Sequence, residues 1–156
     1  MVDMFIWYFA YGRNVNVNFL VGRAGKPIAM FRGILPGYKL EFSKVPGPRS
    51  GVGYATVVPA AREWVEGALY LMTEEQLAKL DEFEGVPTGH YRHEDVKIWC
   101  VEQVRWINAV TYVAVKTNSS LKPDAEYLSH IIEGAKTIGL TRDWLGKLED
   151  MLKEAV

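Results

Sequence analysis

Cysteine is almost absent. Cys100 is the single one in 156 residues, so no internal disulfide framework exists and a reducing compartment suits the chain. No apolar run approaches the ~20 residues that a helix needs to cross a bilayer. The opening from Met1 to Tyr11 is apolar but short, and it has Asp3 where a secretory leader would be basic. It also lacks a small-residue cleavage site, so it does not read as a signal peptide, and the expected localisation is cytoplasmic. Internal repeats, low-complexity tracts and linkers are missing too, which leaves one domain, residues 1–156, as the expectation. Lys and Arg form no run, and the net charge is only -1, so nucleic acid is not an expected partner. What the first part lacks is acid: residues 1–62 hold two Asp/Glu against eight Lys/Arg, whereas residues 63–156 hold seventeen against ten. Such asymmetry marks either a surface for an anionic ligand or two halves of a barrel-like domain that attract each other. The second reading asks for nothing further.

Strands are expected over Met4–Ala10, Ile28–Arg32, Tyr38–Phe42, Tyr54–Val58, Val65–Met72, Tyr91–Val101 and Ala109–Val115, from apolar runs or strict alternation. The first is nearly continuous in apolar and aromatic residues and reads as a central strand. Pro36-Gly37 reads as a turn, and the Pro- and Gly-rich stretch from Val45 to Gly53 as a mobile loop. Asn16–Gly22 is a candidate short helix. Late in the chain Tyr127, Leu128, Ile131, Ile132, Ala135 and Ile138 share one helical face, Gly139 ends that helix, and Thr141 caps another lined by Trp144, Leu148, Met151 and Leu152. Strands first and helices late give an α+β domain, a small mixed β-barrel with flanking helices.

One helix carries a carboxylate on its apolar face. Thr73 and Gln76 have the spacing of a capping box, and Leu77, Leu80 and Phe83 recur at helical spacing after them. At ~100° per residue Glu84 falls in the same arc, while Glu82 falls on the solvated side. Gly85 then supplies the left-handed stop. Burial and the negative end of the helix dipole both disfavour an ionised Glu84 and raise its pKa. Taken alone, this pattern reads more simply as a helix that frays early, leaving Glu84 in solvent, or as a structural ion pair.

The turn Tyr11-Gly12-Arg13-Asn14 at the end of the first strand is the second focus. A strand that breaks at Gly and Asn can aim several backbone amides at one anion. The decoys are weaker. His90-x-x-His93 has odd spacing that sends the two imidazoles to opposite sides of a strand, so both read as solvated, and no metal site is expected. Cys100 reads as plain packing. Gly51-Val52-Gly53 lacks the third Gly of a dinucleotide fingerprint, and the Asn118-Ser119-Ser120 sequon has no secretory signal to use it.

Motifs recur along nearly the whole chain. They are Tyr8-Phe9-Ala10-Tyr11-Gly12-x-Asn14, Gly37-Tyr38-Lys39-Leu40-x-Phe42, Gly53-Tyr54-Ala55-Thr56-Val57-Val58-Pro59 and Val65-x-Gly67-Ala68-Leu69-Tyr70. Leu80-Asp81-x-x-Glu84-Gly85-Val86, Gly89-x-Tyr91, Lys122-Pro123-x-x-x-Tyr127 and Gly134-Ala135-x-x-x-Gly139-Leu140 follow. In this order they resemble the γ-glutamylcyclotransferase-like family. The resemblance implies a β-barrel with one pocket and a catalytic Glu at the position of Glu84. It also implies substrate contacts from Tyr11, Gly12, Arg13, Asn14, Gly53, Tyr91 and Tyr127. The implied reaction cyclises a γ-glutamyl compound to 5-oxoproline and releases the attached amine, without metal or organic cofactor. A small-molecule substrate would be the partner of a monomer or homodimer with no membrane association. A non-catalytic small-molecule-binding member of the same fold is the alternative. Arg13 stands where the family usually has Ser: a backbone contact survives that change and gains positive charge, whereas a side-chain contact is reshaped.

Overall fold

The apolar run near the N-terminus forms β1 (Phe5–Ala10), which lies between two neighbours in the sheet. In the computed structural model, which describes residues 4–156, five strands close a barrel in the order β1-β3-β2-β4-β5. The residues at 1–3, including the Asp3 weighed against a leader, lie outside the described residues. The other strands are β2 (Ala29–Lys44), β3 (Tyr54–Thr73), β4 (Tyr91–Cys100) and β5 (Arg105–Ala114). Every neighbouring pair is antiparallel except β1 with β5, which is parallel at Tyr8↔Val110. Closure leaves β1 no free edge, in keeping with its continuous apolar sequence.

One turn signal proved to be a bend, and two expected strands proved to be one. Pro36-Gly37 does not end a strand, and the expected break between Val58 and Val65 is not there. β2 and β3 run through both places as one long hairpin. The register passes from Pro36↔Trp64 to Tyr38↔Pro59, so residues 60–63 oppose Gly37 alone. Gly37 and Arg62 take positive φ there, 80° and 67°. This irregularity re-aims both strands together, as a bulge does. Beyond it the hairpin carries Lys44, Tyr54 and Ala55 to the functional cavity. β5 also begins earlier than expected, at Arg105. Polar Arg105 and Asn108 and an exposed Trp106 hid the alternation of buried Ile107 and Ala109.

Among the described residues four helices flank the barrel: α1 (Val17–Ala24), α2 (Glu74–Phe83), α3 (Ala125–Ile138) and α4 (Arg142–Lys153). The Asn16, Thr73, Asp124 and Thr141 side chains accept the amides of Phe19, Gln76, Tyr127 and Trp144, each satisfying an orphan donor of a first turn. The capping box of α2 is complete. Ion pairs Arg23–Glu84, Arg32–Glu102 and Arg49–Asp124 join the basic first part to the acidic remainder. Among the described residues no helix is long and apolar enough to cross a membrane. Cys100 is buried in β4, as packing requires.

Glycine sets how closely some elements meet. Gly33 and Gly67 face each other across β2 and β3, and a Cβ on Gly67 would stand 2.1 Å from the Ala10 carbonyl oxygen. On α3, a Cβ on Gly134 would stand 2.7 Å from the Asn16 backbone nitrogen. This contact seats α3 against the turn that follows β1. Gly146, in α4, has no such neighbour within 4 Å. Gly134→Ala is expected to destabilise the protein by about 1–3 kcal/mol through overpacking. Gly146→Ala is expected to stabilise it by about 0.5–1 kcal/mol by removing helix-interior glycine. Urea unfolding of the two variants checks the pair, and a neutral Gly134→Ala would refute the close seating of α3.

Candidate active site

After β1 the chain enters a short 3-10 turn, Arg13–Val15. Val15 and Asn16 donate back to the carbonyls of Gly12 and Arg13, each at 3.0 Å. The amides of Gly12, Arg13 and Asn14 stand at the start of that turn and have no acceptor within it. The Tyr70 hydroxyl supports the turn from below by donating to the Asn14 carbonyl at 2.7 Å. Gly12 has φ −102°, so it is not here for a left-handed conformation. A Cβ on it would lie 3.4 Å from both Ala55 Cβ and Tyr127 Oη, in the space between the turn and the tyrosine. The Asn14 side chain is buried and donates from Nδ2 to Tyr8 Oη at 3.0 Å and to Glu84 Oε1 at 3.1 Å. Its Oδ1 is buried without a partner among the described residues.

Glu84 is the C-cap of α2, just before left-handed Gly85 (φ 68°), as the helical count requires. Its Oε1 accepts from Asn14 and from Arg23 Nη1, the latter at 3.3 Å, and none of the hydrogen bonds among the described residues goes to Oε2. Glu82 is exposed, again as expected. Phe83 is not where the spacing puts it: it is 58% exposed. The helix ends there, and its ring lies under the Arg23 guanidinium, 5.1 Å away.

A cavity of about 360 Å³ brings these groups together. Of the residues expected at the site, Tyr11, Gly12, Arg13, Asn14, Glu84, Tyr91 and Tyr127 line it. Gly53 does not. Its amide donates to the Lys122 carbonyl, and a Cβ there would strike the Phe42 carbonyl oxygen at 2.4 Å, so this glycine serves strand packing. Tyr91 donates to the Ala55 carbonyl at 2.7 Å, and Tyr11 to the Tyr112 carbonyl. The Arg13 guanidinium lies over the Phe19 ring at 4.2 Å and meets His130 Nδ1 at 3.2 Å.

Sequence reasoning missed Arg23, Lys44, Tyr112 and His90, all in the lining. His90 is not solvated: it is half-buried, with Nδ1 2.8 Å from Lys44 Nζ. His93 does lie on the exposed side of β4, paired with Asp81 at 2.7 Å. Asp81 also accepts from the Tyr112 hydroxyl at 2.5 Å and so fixes that ring beside Tyr8. Lys44 left no readable signal: the expected strand ends at Phe42, and a register irregularity between Glu41 and Lys44 breaks the alternation there. Arg23 lies in the last turn of α1, and only the tertiary fold turns it toward Glu84.

Burial dominates the electrostatics. It raises the Glu84 carboxyl, an effect that Arg23, Asn14 and Lys44 oppose and Asp81 reinforces. The phenols of Tyr8, Tyr11, Tyr91, Tyr112 and Tyr127 are all raised, by burial first, and so remain protonated. Burial lowers the Lys44 ammonium, and Glu84 partly restores it. The arrangement therefore offers a half-dry carboxyl whose proton affinity moves toward neutrality, among donors that do not ionise. Among the described residues no three His, Cys, Asp or Glu converge as metal ligands.

Comparison with known proteins places this architecture among relatives. A model of the AIG2-like family matches residues 64–148. The γ-glutamylcyclotransferase of Homo sapiens is 31% identical over 147 residues, spanning 91% of this chain and 76% of that protein. Its counterpart in Mus musculus is 30% identical over 147 residues, with the same 91% and 76% coverage. A solved structure of a γ-glutamyl cyclotransferase superposes with a TM-score of 0.84 at 30% identity, covering 94% of this chain and 87% of that one.

The raised Glu84 carboxyl has a consequence for stability. Below the ordinary carboxyl range Glu84 is protonated in both states, and its contribution to folding is fully present. As pH rises the unfolded chain ionises first, so that contribution is lost until the folded group has ionised as well. Glu84→Gln does not titrate. Its stability relative to wild type is expected to improve as pH rises above the ordinary carboxyl range. Urea midpoints of both proteins across that range check this, and parallel profiles would contradict the raised carboxyl.

Proposed function

The chain belongs to the AIG2-like family, among relatives of γ-glutamylcyclotransferases, and from that premise we propose that it cyclises a γ-glutamyl amino acid, peptide or amine to 5-oxoproline. One observation carries the mechanism: Glu84 is desolvated in the cavity, Asn14 and Arg23 hold its Oε1, and Oε2 has no partner among the described residues.

In this reading Glu84 Oε2 takes a proton from the substrate's α-ammonium. The freed amine attacks the γ-carbonyl carbon, a C–N bond forms, and the amide C–N bond to the departing amine breaks. Glu84 returns that proton to the departing nitrogen and relays a second one to it from the attacking nitrogen. 5-Oxoproline thus forms as the neutral lactam, the amine leaves as an ammonium, and atoms and charge balance with no oxidant, reductant or water consumed. A carboxyl performs both transfers best when its pKa stands near the working pH, and burial moves Glu84 in that direction. Unpartnered Asn14 Oδ1 accepts a hydrogen bond from the α-nitrogen while Nδ2 keeps hold of Glu84, which aligns nucleophile and base. The open amides of Gly12, Arg13 and Asn14 receive anionic oxygen of the substrate. Ring closure is intramolecular, and a cavity that holds the reactive conformer supplies a large share of the catalysis, about 7–11 kcal/mol for well-oriented cases. The protonated phenols of Tyr11, Tyr91 and Tyr127 wall the cavity without competing as bases.

The test is a panel of γ-glutamyl amino acids, amines and a γ-glutamyl tripeptide, scored for 5-oxoproline by mass spectrometry. On the best of them Glu84→Gln is expected to lose ~10²–10⁴ in rate while still folding. Exposed Glu82→Gln is expected to change little. The wild-type rate should rise with pH through an apparent value above the ordinary carboxyl range, because the base must be ionised. Normal turnover by Glu84→Gln would end the mechanism.

A second expectation concerns Arg13. Because Arg13 is among the lining residues, with its guanidinium held beside the cavity by Phe19 and His130, Arg13→Ser should reorder the panel more than it shifts the melting temperature. An unchanged ranking would place the guanidinium outside substrate recognition.

A further inference from the structure

Lys44 is a cation on a core-facing strand position, and the mechanism above does not use it. The residue is only 3% exposed, at the end of β2, yet it lines the cavity. Nζ donates to the Pro46 carbonyl at 2.9 Å and meets His90 Nδ1 at 2.8 Å. The Tyr54 and Tyr91 rings stand on it, each with its centroid 5.6 Å away. Among the described residues it makes no ion pair. An ammonium withdrawn from water with no direct ion pair, and with Glu84 acting on it only at longer range, is costly, and an apolar residue would fill this strand position at less expense. An ammonium has three donors, and the carbonyl and imidazole use two. The third is free.

The charge balance of the cavity points the same way. Arg13, Arg23 and Lys44 line it, and Glu84 is the one carboxylate in the lining. Arg23 is spent on Glu84, and Arg13 is held against Phe19 and His130. Lys44 is thus the lining cation that keeps an open ammonium donor beyond its aromatic contacts and the longer-range influence of Glu84, whereas the open donor of Arg13 among the described residues is its Nε. His90 is held in place beside it, because a Cβ on Gly85 would already lie 2.6 Å from His90 Cδ2.

From this geometry we infer that Lys44, backed by His90, is a specificity-determining residue that binds a carboxylate on the departing amine. The site thereby favours γ-glutamyl conjugates whose leaving group is itself acidic over γ-glutamyl conjugates of simple amines. The inference rests on the cyclisation reading only for which end of the ligand reaches Lys44. The γ-glutamyl end occupies Glu84, Asn14 and the turn amides, so the other end faces the remaining cation. Lys44 acts on binding and takes no proton in the reaction.

The test compares γ-glutamylalanine with γ-glutamylethylamine, which differ by that one carboxylate. Calorimetric binding to Glu84→Gln, which holds the ligand without turnover, should favour γ-glutamylalanine by about 10- to 100-fold, the worth of one charge-assisted hydrogen bond. Adding Lys44→Met should bring the ratio to within about 2-fold, and Lys44→Arg should restore most of it. On otherwise wild-type enzyme, Lys44→Met should lower kcat/KM for γ-glutamylalanine about 10-fold more than for γ-glutamylethylamine. Equal affinity of the two ligands, or an equal loss of both in Lys44→Met without rescue by Lys44→Arg, would overturn the assignment and leave Lys44 a loop anchor for Pro46. If wild type releases 5-oxoproline from neither compound, the cyclisation reading fails by itself. The binding ratio then still decides the carboxylate subsite.

Discussion

A carboxyl withdrawn from water must be held by donors, and the chain supplies those of Glu84 from two remote places. Asn14 comes from the turn after β1 and Arg23 from the last turn of α1, and both reach Oε1 of a residue that ends α2. The junction therefore couples the barrel's first strand to two helices. Its energetics are asymmetric. Removing one donor leaves a buried, uncompensated charge, and that costs more than the pair itself contributes. The same burial that makes the junction demanding also moves the carboxyl toward a useful proton affinity. Stability and chemistry meet in one group.

The rest of the scaffold keeps that junction in place. Closing the sheet with β1 between β3 and β5 positions Tyr8 and Tyr11 along one wall. Gly134 lets α3 come close enough to seat the turn that carries Asn14, and Tyr70 braces the same turn from within the core. Asp81, one turn before Glu84, fixes Tyr112, which lies edge-on to both Tyr8 and Tyr91. Site residues on strand ends and helix ends, each braced by a neighbour, stay put without the reorganisation a loop would undergo. An intramolecular cyclisation benefits from such rigidity, because its catalysis rests largely on holding one conformer.

The charge asymmetry in the sequence has two outcomes in the fold. Part of it is consumed in ion pairs between the basic first part and the acidic remainder, as at Arg32–Glu102 and Arg49–Asp124. Part of it survives inside the cavity, where Arg13, Arg23 and Lys44 outnumber Glu84. The ion-pair reading of the asymmetry therefore holds for Arg23, Arg32 and Arg49, while Arg13 and Lys44 line the cavity without a direct ion pair among the described residues.

Local periodicity by itself determined a good deal. It specified the α2 helix with its capping box, the buried arc that contains Glu84 and excludes Glu82, the late helices with their caps, and the central place of β1. These follow from where consecutive side chains point, which the backbone of a single element dictates. Lys44 was not legible in this way, because an irregularity between Glu41 and Lys44 interrupts the alternation beyond Phe42. Gly53 misled, because a motif glycine does not say whether the space beside it holds a ligand or the Phe42 carbonyl. Only the tertiary structure decided that Pro36-Gly37 bends a strand instead of ending it, that Phe83 faces outward, and that His90 turns inward to Lys44. It also decided that Arg23 and Asn14 converge on Glu84 from 61 and 70 residues away. Contacts at such separations depend on barrel closure and on how closely glycine lets the elements approach, and neither is encoded in the spacing of neighbouring residues.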